Sequence, residues 1–310
     1  MDQKSAHNKL LKYRLYRIFI VATKKIILPG FDKLPLYNVG GFFIAEMQKE
    51  SIITKASSLA FNFFLALFPA LLFLLTLIPF VPIENFQDEL LSLLAEFLPN
   101  NAFEATRDTI IDIINNQQGG ILSLSVFFAL IFSTNGIASL MQAFNKSSFA
   151  FESRSWIKQR LIALGLTLSL AFLLFIAVAL IVAGEYTISW LQDQFIIRDS
   201  FTYYALATSR WFIILGIFFV GVSLLYYFGP AVVKRWRFVS AGSTLATVLI
   251  ILTSYGFSFY INNFGQYNKL YGSIGTIVVI MLWIYFNSIV LLVGFELNAS
   301  IDITKRRLEE

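Results

Sequence analysis

The chain has no cysteine and only one histidine among its 310 residues. Without thiols there is no disulfide framework, no thiolate nucleophile and no cysteine-ligated metal, and the redox compartment cannot be read. The lone His7 sits in a polar N-terminal stretch, which removes imidazole-centred catalysis and zinc chemistry from any membrane cavity. Charge is also sparse. Charged residues make up 14% of the chain against 57% hydrophobic, and the mean hydropathy of +0.70 lies outside the range of soluble domains. No phosphate-binding loop, dinucleotide fingerprint or calcium-loop pattern occurs. No catalytic residue, metal or cofactor is therefore assigned.

What the chain does have is long apolar runs. About 20 apolar residues carry a helix across a bilayer, and six segments qualify: Ser57–Phe80, Ile121–Phe144, Leu161–Gly184, Tyr204–Phe228, Phe238–Ile261 and Ile274–Ala299. Open sheet edges cannot exist in hydrocarbon, and the short alternating strands of a barrel are absent. The expected fold is an all-α integral membrane bundle of six transmembrane helices. Its expected parts are a basic amphipathic N-terminal region (1–56), a membrane domain (57–301) and a tail (302–310).

Basic residues set the orientation. All 24 Lys and Arg except Arg107, Arg198, Arg210 and Lys269 fall before the first span, in the second-to-third and fourth-to-fifth connections, or at the C-terminus. By the positive-inside rule both termini are expected in the cytoplasm. The run Ile18–Ala22 is short and followed by Lys24 and Lys25, so no cleavable leader is expected. The basic balance thus reads as topology, and no nucleic-acid partner is implied. Lys9 to Ile18 alternates basic and apolar groups, which suits either a topology-setting tail or a helix on anionic lipid.

One outer connection is long. Residues 82–120 hold two helically spaced apolar runs, separated by Pro99-Asn100 and ended by Gly119-Gly120, with an acidic surface. Two short amphipathic helices are expected there.

Polar groups inside the spans are the candidate site. Asn62, Pro69 and Thr76 share a face of the first span, where packing and a substrate path are both admissible. Ser133-Thr134-Asn135-Gly136 in the second span admits either a broken helix that binds solute or close small-residue packing. Asn287, Gly294 and Asn298 share a face of the last span. Glu296 need not lie on it, and as an intramembrane carboxylate it admits a proton, a cation or an ion pair. The turn containing Gly265, Tyr267, Tyr271 and Gly272 reads as a hairpin or a gate. The substrate-path candidates are Asn62, Pro69, Asn135, Gly136, Asn287, Glu296 and Asn298.

Taken in order, several motifs resemble the YihY/BrkB family of bacterial inner-membrane proteins. They are Ala56-Ser57-Ser58-Leu59-Ala60 leading to Phe68-Pro69, Ala143-Phe144-Asn145-Lys146, and Phe228-Gly229-Pro230 with Trp236 and Gly242. Asn263-Phe264-Gly265-Gln266-Tyr267, Tyr271-Gly272-Ser273-Ile274-Gly275 and Gly294-Phe295-Glu296-Leu297-Asn298-Ala299 complete the set. Asn135 departs from the pattern, which carries a basic residue before that glycine. The resemblance implies a six-helix inner-membrane protein that has carried ribonuclease BN, virulence-factor and lipid-transport labels. RNA hydrolysis needs clustered metal-binding carboxylates or histidines, which the sequence does not offer. The expectation is a transporter or lipid-translocating protein of the envelope, with membrane lipids, including anionic cytoplasmic headgroups, as partners. The alternative is a non-transporting scaffold, as a homo-oligomer or with an envelope protein.

Overall fold

The computed structural model describes residues 21–28, 30–49, 52–77, 119–147, 154–193, 200–231, 237–264 and 273–309. Every regular element among them is helical. After a helical turn at 21–25 come α1 (Leu36–Lys49), α2 (Ile52–Leu77), α3 (Gly119–Ser147), α4 (Trp156–Asp193), α5 (Ser200–Phe228), α6 (Ala241–Phe264) and α7 (Ser273–Glu309). Six of these carry stretches long and apolar enough to cross a membrane: Ile52–Ala70, Ser123–Lys146, Trp156–Ala177, Trp211–Phe228, Ala241–Tyr260 and Ile277–Leu308. The six spans expected from the sequence are all there.

One open alternative narrows and two local expectations change. The first concerns α3, which passes through Ser133-Thr134-Asn135-Gly136 without a break. A Cβ on Gly136 would stand 2.9 Å from Phe63 Cδ1, so the small residue admits a neighbouring ring. Second, Gly119 and Gly120, read as the end of an apolar run, are helical at the described start of α3. Third, α7 does not stop near Ala299. Its 37 residues correspond to about 55 Å of helix, well beyond a hydrocarbon core of about 30 Å. Nothing in residues 300–309 breaks a helix. Thr304 Oγ1 donates to Ser300 O at 2.7 Å, Arg306 pairs with Asp302 at 2.6 Å, and the last-turn Arg306 and Arg307 suit the negative end of the helix dipole. The outer insertion, apart from Gly119-Gly120, and the basic run 9–18 lie outside the described residues.

The chain divides into two compact units. The first comprises Met1–Lys55, Met141–Thr253 and Ile289–Glu310. Lipid is as apolar as leucine, so helices in a membrane associate through close packing and hydrogen bonds. This unit uses both. Phe144 and Phe295 stack at 4.0 Å between centroids and 8° between planes, and Tyr226 meets both edge-on at 5.5 and 5.8 Å. Such pairs contribute about 0.5–1.5 kcal/mol each beyond simple burial. Tyr226 Oη donates to the Leu291 carbonyl at 2.6 Å. Gly242 and Gly294 let the backbones of α6 and α7 touch: a Cβ on Gly294 would be 2.7 Å from Gly242 O and from Ala246 Cβ.

The end of α5 is held in the same unit. Arg154 donates to Gly229 O at 2.9 Å and Asn145 Oδ1 accepts from Ala231 N at 2.7 Å, giving partners to groups that a helix terminus leaves over. The N-terminal segment packs Phe31, Leu34 and Val39 with Ile301. Its turn is left-handed at Gly30, Asp32 and Lys33, and Ala241 crowds the Gly30 backbone, so a side chain at residue 30 meets both strain and contact. Large apolar side chains on α4 and α5, such as Phe172, Phe175, Trp211 and Phe212, are exposed, as lipid-facing groups are.

The second unit, Ala56–Leu140 with Ser254–Ser288, holds most of the intramembrane asparagines. In it α2 runs through Pro69, Asn62 Nδ2 donates to Ser58 O at 2.9 Å and to Ser139 Oγ at 3.1 Å, and Trp283 Nε1 donates to Ser254 Oγ at 3.2 Å.

Candidate functional site

The intramembrane polar residues fall in both units. In the second, Asn62 reaches across from α2 to Ser139 of α3, one turn from Gly136, whose neighbour Phe63 follows Asn62 in sequence. Asn62 and Gly136 therefore meet at one helix–helix contact. Asn135 is half-buried on α3 and Pro69 half-buried on α2. Asn287 turns its amide back along α7, with Nδ2 donating to Trp283 O at 2.8 Å. Its buried Oδ1 has no hydrogen-bond partner, which costs about 1–3 kcal/mol and marks a polar spot in an apolar setting.

In the first unit, Asn298 is a cap supplied from a neighbouring helix. Its Oδ1 accepts from Gly242 N at 2.8 Å and its Nδ2 donates to Ser240 Oγ at 2.8 Å. Ser240 is itself the local N-cap of α6: its Oγ accepts from Ser243 N at 3.1 Å. The first amides of α6 thus find acceptors in one local and one distant side chain. Glu296 is 3% exposed, a carboxylate within the α7 span. One turn on, Ser300 is fully buried with a partnerless hydroxyl. The gate candidates Gly265, Tyr267, Tyr271 and Gly272 lie outside the described residues.

Sequence reading missed a cleft in the first unit, where α6 begins and α7 emerges. Gly30, Asp32, Arg237, Val239, Ser240, Asn298, Ile301, Asp302 and Lys305 line about 40 Å³ of open space, room for more than one water-sized group. Lys305 Nζ holds Asp32 at 2.9 Å, while Arg237 stands 3.9 Å from the same carboxylate with its side chain 78% exposed. Asp32 and Lys305 are 273 positions apart, so no spacing rule could join them. The one legible hint was basic residues beside an apolar run at Arg237-Phe238-Val239. Among the described residues, no group of three His, Cys, Asp or Glu could hold a metal ion.

These features define a six-span helical membrane protein with polar groups within its spans and a charged cleft at the basic ends of two helices. The family follows from comparison: a family model described as Virulence factor BrkB matches residues 43–310, and the chain belongs to that family. It is similar to the Putative ribonuclease-like protein YfkH of Bacillus subtilis (strain 168), at 32% identity over 257 residues, 83% of this chain and 92% of YfkH. More local similarity links it to a UPF0761 membrane protein of Tolumonas auensis, 37% identical over 81 residues, 26% of this chain and 27% of that protein. The UPF0761 membrane protein PSHAa0171 of Pseudoalteromonas translucida is 38% identical over 87 residues, 28% of this chain and 29% of its own length. No solved structure matches.

Proposed function

We propose that this protein handles lipids in a bacterial inner membrane, as a transporter or lipid translocator of the envelope, with both termini in the cytoplasm. One observation carries the reading: a cleft holding two cations and two carboxylates lies between the start of α6 and the last turns of α7, a charged setting suited to phospholipid headgroups. The basic segments around it add long-range attraction for anionic leaflets, worth about 1 kcal/mol per Lys or Arg near the surface. Within the second unit, Asn62, Asn135 and Asn287 would supply polar groups in the bilayer, and within the first Glu296 would do so, since such groups are expensive there unless they serve packing or transport.

No enzymatic role is proposed. YfkH carries a ribonuclease-like name, but RNA hydrolysis requires an activated nucleophile and a charge-stabilising cluster, and His7 is the chain's only imidazole. A scaffold role is the second reading. It is favoured by the way Asn145, Tyr226 and Asn298 are spent on backbone groups of neighbouring segments, as in a bundle built for rigidity.

The test is lipid movement in proteoliposomes, comparing wild type with Glu296→Gln and Asn135→Ala. Movement above empty vesicles that the variants lose supports translocation through these residues. Movement that both variants retain removes these two residues from the path. Absence of movement across anionic and zwitterionic lipids favours the scaffold.

A further inference from the structure

We infer that the cleft between the start of α6 and the emerging end of α7 binds a zwitterionic phosphodiester headgroup bearing a primary ammonium, of the phosphoethanolamine type. The inference rests on the lipid-handling reading and adds the headgroup's chemistry.

Charge balance comes first. The lining holds two cations, Arg237 and Lys305, and two carboxylates, Asp32 and Asp302. A purely anionic headgroup would have to sit against both carboxylates, and a like charge in a half-enclosed site is disfavoured. A headgroup with both signs suits a lining of both signs.

The partners are unequally committed. Lys305 is held by Asp32 Oδ2 at 2.9 Å, and Asp302 is held from outside the cleft by Arg306 at 2.6 Å. Arg237 is the less committed cation. It reaches only to 3.9 Å from Asp32 Oδ1 and is mostly exposed. Its planar fork suits two phosphate oxygens at once. Ser240, on the same wall, caps the N-terminus of α6, so the positive end of that helix lies beside the cleft and adds a weak favourable field, its first amides being already held by Ser240 and Asn298.

Binding is then an exchange of partners. The phosphate takes the Arg237 guanidinium, Asp32 Oδ1 is released, and the ligand's ammonium replaces the guanidinium there while Oδ2 stays with Lys305. Asp302 supplies a second acceptor. A primary ammonium donates three hydrogen bonds to such carboxylates, whereas a trimethylated one donates none. A glycerol headgroup carries no positive charge at all. The apolar rim suits the rest of a lipid, because Val239 and Phe238 are exposed beside Arg237, as are Ile26, Ile27 and Leu28 on the N-terminal segment that carries Asp32. Of the two carboxylates, Asp32 precedes residues 43–310, the stretch that the family model matches, and Asp302 lies within it.

Native mass spectrometry of the full chain in detergent tests the inference, using phosphatidylethanolamine, phosphatidylcholine and phosphatidylglycerol of matched acyl chains. The wild type is expected to retain the ethanolamine lipid about tenfold better than the other two, the worth of one charge-assisted hydrogen bond. Asp32→Asn and Asp302→Asn should each reduce that preference while sparing phosphatidylglycerol. Arg237→Gln should weaken all three lipids. The second carboxylate variant keeps the test valid if Asp32→Asn loosens the N-terminal segment, which a melting curve reports. Soluble phosphoethanolamine should displace the lipid where inorganic phosphate at equal concentration does not, and equal displacement would overturn the ammonium half. Equal retention of the three lipids, or a preference that survives both carboxylate variants, overturns the whole. Binding is read without transport, so failure here leaves the proteoliposome result to stand or fall separately.

Discussion

Replacing Gly242 by alanine should loosen the first unit, and the cost can be worked from geometry. The new methyl would overlap the Gly294 carbonyl of α7 and stand 2.6 Å from both Cγ and Oδ1 of Asn298. Ordinary carbon contacts lie at about 3.5–4.0 Å, so something must move by about 1 Å. The obstacles are a helix backbone and a buried amide that already holds Gly242 N and Ser240 Oγ. Overpacking of this kind costs about 1–3 kcal/mol. If Asn298 is pushed aside, each lost hydrogen bond adds about 1 kcal/mol. Alanine returns about 1 kcal/mol of helix propensity. The net expectation is a loss of about 2–4 kcal/mol, and Gly294→Ala should behave alike, because its methyl would meet Tyr226 Oη at 2.6 Å. The internal control is Gly216→Ala on α5, which meets nothing within 4 Å and should be neutral or slightly stabilising. Unfolding in mixed micelles by increasing SDS, followed by tryptophan fluorescence, gives the comparison. A Gly242→Ala protein as stable as wild type would refute the close-contact reasoning.

Other expectations follow from other contacts. Asn145→Ala leaves Ala231 N without its acceptor at 2.7 Å and should cost about 1–3 kcal/mol in the same unfolding assay. Gly136→Ala should destabilise the second unit because its methyl would stand only 2.9 Å from Phe63 Cδ1; with Phe63→Leu added, a double-mutant cycle should show part of that loss recovered. Because the chain is naturally free of cysteine, single cysteines at Asp2 and Glu310 can be labelled without background. Both should react with a membrane-impermeant thiol reagent only after cells are opened, and labelling of either in intact cells would contradict the proposed topology. Purified protein incubated with RNA and divalent metal should leave the RNA intact, and cleavage that co-purifies with the folded protein would overturn the non-enzymatic reading.

The spans could be read from the sequence because a bilayer imposes one demand that sequence displays directly, an apolar run of sufficient length. The same demand is silent about where a helix ends once it leaves the hydrocarbon, so α7 continued to Glu309 where an end near Ala299 was expected. Small residues carry a double meaning. Ser133-Thr134-Asn135-Gly136 suited a break as well as a contact, and only the position of Phe63 beside Gly136 distinguishes them. Asn298 was legible as a polar residue on the face of Gly294, and both do meet Gly242. Its role in capping α6 was not legible, because a cap supplied from 56 positions away leaves no local pattern. The cleft was least legible of all. Asp32 comes from a left-handed turn and Lys305 from the far end of α7, and neither residue looks unusual alone.

The most direct test of lipid handling is the redistribution of a headgroup-labelled phospholipid between the leaflets of vesicles holding, on average, one copy of the wild-type protein. The account predicts that labelled lipid in the inner leaflet becomes accessible to an external quencher well beyond the level of protein-free vesicles. Accessibility that stays at the protein-free level for ethanolamine, choline and glycerol lipids alike would contradict it.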